Sequence, residues 1–166
     1  MVTLMVGNIA GLLAVMIAND YGIDSIVAYD NKDLYRELGF KVYDSIKDVE
    51  HISLILLSVH GREIVPAKIL KEYKYCVNVH PFYNKYKGIR PVKRALENKE
   101  EVGEVTSHYM IEKVDEGKII FQGHKTISGS TEQEIYQELY PLYAGVIKKT
   151  LDFLNTDIKM SFNLAY

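Results

Sequence analysis

The sequence is poorest in cysteine, tryptophan and proline, and it has no long apolar run. Its 166 residues include one cysteine, no tryptophan and four prolines. A single cysteine cannot form a disulfide within the chain, which is typical of a reducing compartment. No apolar run approaches the roughly 20 residues of a membrane-spanning helix, and the N-terminus lacks the basic segment and cleavage site of a signal peptide. We therefore expect a cytoplasmic protein without a membrane partner.

The sequence also lacks a strong excess of charge of either sign. The net charge is -2, with 25% charged and 48% hydrophobic residues, so the chain can build a full core. Without a dominant basic patch, we expect no nucleic-acid partner. One basic cluster remains open to two interpretations, a solvated face or an anion-binding surface. Its members are Lys85, Lys87, Arg90, Lys93 and Arg94.

Short apolar runs alternate with helical segments in the first half of the chain. Strands are predicted at 2–6, 25–29, 52–58 and 76–79, and helices at 10–21, 33–38, 64–71 and 91–97. Continuous apolar strands that alternate with helices indicate a parallel sheet in an α/β domain. The single cysteine, Cys76, begins one of these runs and is interpreted as a buried apolar residue.

The second half of the chain has a different pattern. Runs at 103–110 and 119–127 predict a hairpin, and residues 131–153 predict a long helix. Thr131 and Glu134 have the spacing of a capping box, and Pro141 should kink or split the helix. We expect one domain over 1–154. The tail, 155–166, has alternating apolar residues that predict an edge strand or packing on the body or in a homo-oligomer interface.

One polar residue lies within the apolar strand predicted at 76–79, and another directly follows it. Asn78 and His80 are two residues apart, so their side chains should share one face of the sheet. Burying an amide beside an imidazole is costly unless both are hydrogen-bonded. The carboxyl ends of parallel strands collect ligands, and the segments 7–11 and 58–62 should lie at the same end. A satisfied polar pair and a functional site are equally compatible with this spacing.

Asp115 lies between the two strands of the predicted hairpin. Asp-Glu-Gly at 115–117 favours a simple turn, because Asp caps the backbone and Gly supplies positive φ. His108, on the preceding apolar run, is interpreted as structural. Asp115 together with Asn78 and His80 would nevertheless supply the groups that acyl transfer needs: an amide to hold a carbonyl oxygen, an imidazole to move a proton and a carboxylate to orient it.

The segment 7–11, Gly-Asn-Ile-Ala-Gly, links the first strand to the first helix. Its amides could face a phosphate at the helix N-terminus, although the segment is neither a P-loop nor G-x-G-x-x-G. Asp30 ends the second strand, where nucleotide-binding folds place a ribose-binding acid. A nicotinamide-binding protein is therefore an alternative at this stage.

Several separate motifs, in matching order, resemble the folate-dependent formyltransferases. That family includes glycinamide ribonucleotide transformylase, methionyl-tRNA formyltransferase and the sugar N-formyltransferases. The resemblance extends over about 52–153. It is carried by Asn-Val-His-Pro at 78–81, by 86–91, 95–98 and 114–120, and by Gly103, Thr106 and His108.

The resemblance implies a Rossmann-like, mostly parallel sheet flanked by helices, with a C-terminal hairpin and a long helix. It implies transfer of a formyl group from 10-formyltetrahydrofolate to a primary amine, with no metal. The catalytic residues would be Asn78 and His80, which stabilise the oxyanion, and Asp115, which orients His80 or a water.

The resemblance also assigns two sets of binding residues. The folate would contact a loop at 58–66 and the segment 111–117, through Ser58, His60, Gly61, Arg62, Ile64, Val114 and Gly117. The amine substrate would contact Gly7, Asn8, Tyr83, Tyr86, Lys87 and Gly88.

Departures from the family pattern affect the choice of acceptor. The loop after His80 is one residue shorter and lacks the usual Leu-Leu-Pro, and the first-strand loop lacks the phosphate pattern of the ribonucleotide enzyme. With the C-terminal domain of the tRNA enzyme also missing, elimination leaves a nucleotide-linked amino sugar. The alternative is a non-catalytic folate- or nucleotide-binding module.

Overall fold

A computed structural model describes residues 1–50 and 53–163 of the chain. These residues form a seven-stranded sheet flanked by helices. The strands are β1 Val2–Val6, β2 Ile23–Ala28, β3 Val42–Tyr43, β4 Ile55–Val59, β5 Tyr75–Pro81, β6 Val102–Tyr109 and β7 Ile119–Thr126. The helices are α1 Asn8–Ala18, α2 Lys32–Glu37, α3 Ala67–Leu70, α4 Pro91–Glu97 and α5 Glu132–Asn163, with 3₁₀ turns at Asn19–Tyr21 and Ile46–Asp48.

The strand order is β3-β2-β1-β4-β5-β6-β7. Strands β1 to β5 are parallel, whereas β6 and β7 are antiparallel to their neighbours. The predicted mostly parallel α/β fold is therefore confirmed. The order reverses between β1 and β4, and ligands in open α/β sheets bind at such a switch point. This topology brings the ends of β1, β4 and β5 together.

The sheet separates two apolar clusters. Leu4 and Leu57 face the larger cluster, which includes residues of α1 and α5. The adjacent Leu56 and the thiol of Cys76 belong to the smaller cluster on the other face, as the two-residue period of a strand requires. Cys76 is buried as predicted, and burial raises the pKa of its thiol to about 12.

Several predicted bounds need correction. The strand predicted at 52–58 is observed at Ile55–Val59, and residue 52 lies outside the described residues. The helix predicted at 64–71 is only Ala67–Leu70, because Pro66 has an extended backbone and precedes the helix. Strand β3 was not predicted, since two half-buried residues give no periodic signal.

Helix α5 differs from its prediction at both ends. The Glu134 N–H donates to Thr131 Oγ1 at 3.2 Å, but the Glu134 carboxylate accepts from the N–H and hydroxyl of Ser130 instead of from Thr131. The capping box is thus displaced by one residue. The helix continues through Pro141, so the predicted split is wrong.

The tail is helical, not an edge strand, as far as residue 163. Ile158 is 8% exposed and joins the larger apolar cluster, and the hydroxyl of Tyr75 donates to Asp157. The apolar residues of this segment lie on a helix, so their alternation in the sequence was not the signal of a strand. Residues 164–166 lie outside the described residues. No helix among the residues that the structure describes is long and apolar enough to cross a membrane.

Candidate active site

A cleft of about 850 Å³ lies at the carboxyl ends of β1, β4 and β5. Its walls come from four parts of the chain: the β1–α1 junction at 7–8, the loop at 58–65, the loop at 88–91 and the segment 108–115. Helix α5 closes one end with Glu132 and Tyr136. Across residues 1–50 and 53–163, no group of three or more His, Cys, Asp or Glu side chains could hold a metal ion.

Strands β5 and β6 position the polar side chains at the floor of the cleft. Asn78 pairs with His108 across the two antiparallel strands, and His80 pairs with Thr106. Directly opposed residues share a face, so Asn78, His80 and His108 all line the cleft. His80 and His108 are buried, and Asn78 is half-buried.

Asp115 reaches these residues from the segment 110–118 that connects β6 to β7. Its side chain is buried, and its backbone is left-handed with φ 52°. One carboxylate oxygen, Oδ1, accepts from Asn78 Nδ2 at 3.3 Å and lies 3.4 Å from His108 Nε2. The other, Oδ2, accepts from the Gly88 N–H at 2.8 Å and lies 3.2 Å from His80 Nε2. Four nitrogen atoms therefore surround one buried carboxylate.

These contacts keep Asp115 ionised. Burial alone would raise its pKa, but it is outweighed by hydrogen bonds from His108 and His80, the charge of His80 and the Gly88 N–H. Together they hold the pKa of Asp115 well below the ordinary value of a carboxyl group. The structure thus brings the amide, imidazole and carboxylate together: Asp115 lies in a turn, as predicted, and its side chain also reaches the floor of the cleft.

The hydrogen bonds of His80 distinguish its two ring nitrogens. Nε2 lies 3.2 Å from the Gly88 carbonyl oxygen and 3.2 Å from Asp115 Oδ2. Two acceptors at Nε2 favour a proton on that nitrogen. Among the described residues, Nδ1 is buried without a hydrogen-bond partner.

Tyr83 and Gly117 support the segment 110–118 from behind. The Tyr83 hydroxyl donates to the Gly117 carbonyl at 2.7 Å, and its ring lies 4.4 Å from the His108 ring. A Cβ at Gly117 would lie 1.7 Å from the Tyr109 carbonyl oxygen, so only glycine allows this close approach. These contacts fix the loop that carries Asp115.

Four of the predicted binding residues do not line the cleft. Tyr83 and Gly117 pack behind it, as described above, and the Tyr86 hydroxyl donates to Glu100. Lys87 places its ammonium 6.0 Å from the Tyr83 ring. The predicted substrate contacts of the three side chains and the predicted folate contact of Gly117 remain untested predictions. The remaining residues line the cleft: Gly7, Asn8, Ser58, His60, Gly61, Arg62, Ile64, Gly88 and Val114.

The N-terminus of α1 already receives a carboxylate. Asp30 Oδ2 accepts the Asn8 N–H at 3.0 Å and a guanidinium N–H of Arg62 at 2.6 Å. The Asn8 N–H and, to a smaller extent, Arg62 lower the pKa of Asp30 against the opposing effect of burial. The Ala10 N–H donates to Asn8 Oδ1 at 2.7 Å. The predicted phosphate contact of 7–11 and the ribose-binding role of Asp30 therefore have competing partners within the chain.

His60 lies in the loop after β4, and its side chain contacts α5. Its Nε2 lies 2.7 Å from the Tyr143 hydroxyl, and its ring is 5.4 Å from that of Tyr136. Burial, with the positive charges of His80 and Arg62, lowers the pKa of His60 to about 4. His60 is therefore neutral near pH 7 and links the cleft to the core side of α5.

Sequence reasoning missed several residues of the cleft, including His108, Glu132 and Tyr136. His108 was interpreted as structural, because its contact with Asn78 depends on strand register. Glu132 and Tyr136 are four residues apart on α5 and therefore share a helix face, but nothing in their spacing shows which part of the sheet that face meets.

Comparisons with known proteins agree with this architecture. A family model described as Formyl transferase matches residues 29–144. Methionyl-tRNA formyltransferase of Orientia tsutsugamushi (strain Boryong) is 30% identical over 132 residues, covering 72% of this chain and 43% of the relative. The trifunctional purine biosynthetic protein adenosine-3 of Drosophila melanogaster is 32% identical over 126 residues, covering 73% of this chain and 9% of the relative. The chain thus spans less than half the length of either relative.

Solved structures show the same fold at low sequence identity. Phosphoribosylglycinamide formyltransferase from Anaplasma phagocytophilum has a TM-score of 0.77 at 17% identity, covering 94% of this chain and 86% of that one. The N-formyltransferase from Helicobacter canadensis, in complex with folinic acid and dTDP-3-aminofucose, has a TM-score of 0.78 at 18% identity. That match covers 94% of this chain and 64% of the other.

Proposed function

Because the chain belongs to the formyl transferase family, we propose that it transfers a formyl group from 10-formyltetrahydrofolate to a primary amine. One observation carries the proposal. The ionised carboxylate of Asp115 lies within 3.4 Å of polar nitrogens of Asn78, His80 and His108, at the floor of a cleft. A buried carboxylate that holds an amide and two imidazoles is suited to proton transfer beside a reacting carbonyl.

In the proposed reaction the amine nitrogen attacks the formyl carbon, and the carbonyl oxygen becomes an oxyanion. The oxyanion accepts hydrogen bonds from Asn78 and His80. One N–H of the Asn78 amide is directed to Asp115 Oδ1 at 3.3 Å, and the second N–H is the one proposed to donate to the oxyanion. The bond from the formyl carbon to N10 of the folate then breaks. The amine loses one proton and N10 gains one, with Asp115 orienting His80 or a water for the transfer.

The dimensions of the cleft support two co-substrates. Its volume of about 850 Å³ lies in the upper part of the range of small-molecule sites, about 300–1,000 Å³. Ile64 and Val114 line it from two different loops and are 75% and 51% exposed. Such apolar side chains provide a surface for a flat ring, consistent with folate between these loops. A nucleotide-linked amino sugar is our candidate acceptor, in line with the dTDP-3-aminofucose of the Helicobacter canadensis complex.

A non-catalytic folate- or nucleotide-binding module is the second candidate. This candidate is favoured by the position of Tyr83, Tyr86 and Lys87 outside the cleft. Few residues of the loop after β5 are then left to contact an amine substrate. The two candidates differ in turnover, because a module would bind folate without transferring its formyl group to any amine.

The test is a transfer assay with 10-formyltetrahydrofolate and a panel of amines that includes nucleotide-linked amino sugars. Asn78→Ala and His80→Ala should each lower turnover by about a hundredfold or more in a protein that remains folded. Asn98→Ala and His124→Ala, at exposed sites outside the cleft, are the matched controls. Folate binding without turnover on every amine would support the module, and undiminished transfer by either cleft variant would contradict the proposed mechanism.

A further inference from the structure

We propose that Asp30 is a specificity-determining residue for the acceptor. Its carboxylate occupies the N-terminus of α1, so the acceptor must present a neutral or positively charged group beside Gly7 and Asn8, and not a phosphate. This inference rests on the proposed function, since it concerns the substrate of the same cleft. Asp30 lies two residues after the end of β2, and its partners Asn8 and Arg62 both line the cleft.

The geometry of Asp30 is that of an anion bound at a helix N-terminus. Such a terminus attracts negative charge through its free amides and its dipole. Here the Asn8 N–H donates to Asp30 Oδ2 at 3.0 Å, and Arg62 donates to the same oxygen at 2.6 Å. A Cβ built on Gly7 would lie 3.5 Å from that oxygen, so the carboxylate lies directly against the wall of the cleft.

The neighbouring amides are also committed to partners within the chain. The Gly7 N–H donates to the Val59 carbonyl at 3.1 Å, and the Gly11 N–H donates to the Gly7 carbonyl at 3.0 Å. The Ala10 N–H donates to the Asn8 side chain. A phosphate approaching this terminus would thus meet a fixed carboxylate and few free donors.

A second carboxylate contributes negative charge to the cleft. Glu132 lines the cleft from α5, and none of the ion pairs between described residues includes it. Two contacts of other residues link this part of α5 to the α1 terminus. Tyr136, one turn further along α5, has its ring 5.4 Å from that of His60, and the His60 carbonyl oxygen lies 2.6 Å from a Cβ built on Gly7.

The charges at this end therefore favour hydroxyl or amino groups of the acceptor. Arg62 is already paired with Asp30, whereas the other cations of the cleft, Arg90 and Lys113, come from the loops at 88–91 and 108–115. Carboxylates accept hydrogen bonds from hydroxyl and ammonium groups, whereas they repel phosphate. An acceptor that carries phosphate, such as a nucleotide-linked sugar, must direct its phosphates to another part of the cleft.

The test is Asp30→Asn, which keeps the shape and one acceptor oxygen while it removes the charge and frees the positive charge of Arg62. The probe is inorganic phosphate at constant ionic strength, followed through the amide signals of Gly7 and Asn8 in ¹H–¹⁵N spectra. The variant should bind phosphate at these amides at least about tenfold more tightly than the wild type, given a unit charge removed within about 5 Å. Asp33→Asn, which removes the same charge at an exposed position three residues away, should behave like the wild type.

One result would overturn the inference: phosphate binding at Asn8 that is no tighter in folded Asp30→Asn than in the wild type. Because the readout is binding and not turnover, it is independent of the transfer assay. If the protein shows the expected phosphate response but transfers no formyl group, the proposed function is refuted. The inference that Asp30 disfavours phosphate at the N-terminus of α1 would still hold.

Discussion

Replacing Asp115 with asparagine tests the arrangement on which the proposed chemistry depends. The carboxylate has nitrogen atoms of four residues within 3.4 Å, and the Gly88 N–H at 2.8 Å is the shortest contact. Asparagine offers one oxygen and one NH₂ group. Wherever the NH₂ group replaces a carboxylate oxygen, it faces N–H donors of the neighbouring residues and cannot accept their hydrogen bonds. Each buried donor left without an acceptor costs about 1–3 kcal/mol. Rotation of the amide can spare the Gly88 contact, so we expect the free energy of unfolding to fall by about 2 kcal/mol.

The effect of Asp115→Asn on turnover should be larger than its effect on binding. The substitution removes the charge that orients His80, and positioned acid–base groups contribute about 10²–10⁴-fold to rate. Asp115 contacts the floor of the cleft, whereas Ile64 and Val114 provide the apolar surface of its walls. We therefore expect kcat to fall by at least about a hundredfold, with the Kd of a stable folate analogue within about threefold of the wild type, a difference below about 1 kcal/mol.

Steady-state kinetics, a folate-analogue titration and urea denaturation measure the three quantities for Asp115→Asn. Glu116→Gln is the matched control, because it removes the same charge from the adjacent, exposed residue. It should leave kcat and stability close to the wild type. A loss of folate affinity with unchanged kcat would show that Asp115 acts in binding, and wild-type turnover would refute its catalytic role.

Two further predictions concern pH and backbone packing. The pKa of His60 falls to about 4 in the folded protein, so the unfolded state binds the proton first, and the free energy of unfolding should fall by about 1–3 kcal/mol as the pH drops from about 6.5 to 4. Urea denaturation at several pH values should show this loss in the exposed-site control His124→Asn but not in His60→Asn, and an unchanged pH dependence in His60→Asn would contradict the assignment. Gly117→Ala places a Cβ 1.7 Å from the Tyr109 carbonyl oxygen and should destabilise the protein by about 3 kcal/mol or more and lower turnover. Gly145→Ala, with open space at its Cβ, should stabilise α5 by about 0.5–1 kcal/mol, and similar stabilities of the two alanine variants would show that the Gly117 contact is not rigid.

Elements with local signals were predictable from the sequence. The bounds of β1 follow from an apolar run closed by Gly7, and those of α4 from Pro91 at its first position, where proline is favoured. Both agree with the structure. The juxtaposition of Asn78 and His80 was also predictable, because the two-residue period of a strand places both on one face.

Features that depend on distant contacts were not predictable in the same way. Asp115 lies in a sequence typical of a turn, and only the packing of Tyr83 and Gly117 directs it back to the floor of the cleft. The tail gives a strand-like alternation, but its burial against the sheet selects the helix. The carboxylate at α1 belongs to Asp30, which follows β2 in a different part of the sequence.

The pairing of β5 with β6 has a consequence for how this protein can vary. Asn78 faces His108 and His80 faces Thr106 only in the observed alignment of the two strands. Insertion of a single residue within either strand would turn the functional side chains of that strand to the opposite face. Relatives that keep the chemistry should therefore differ in length in the connections between strands, while the interval from Asn78 to His80 stays constant.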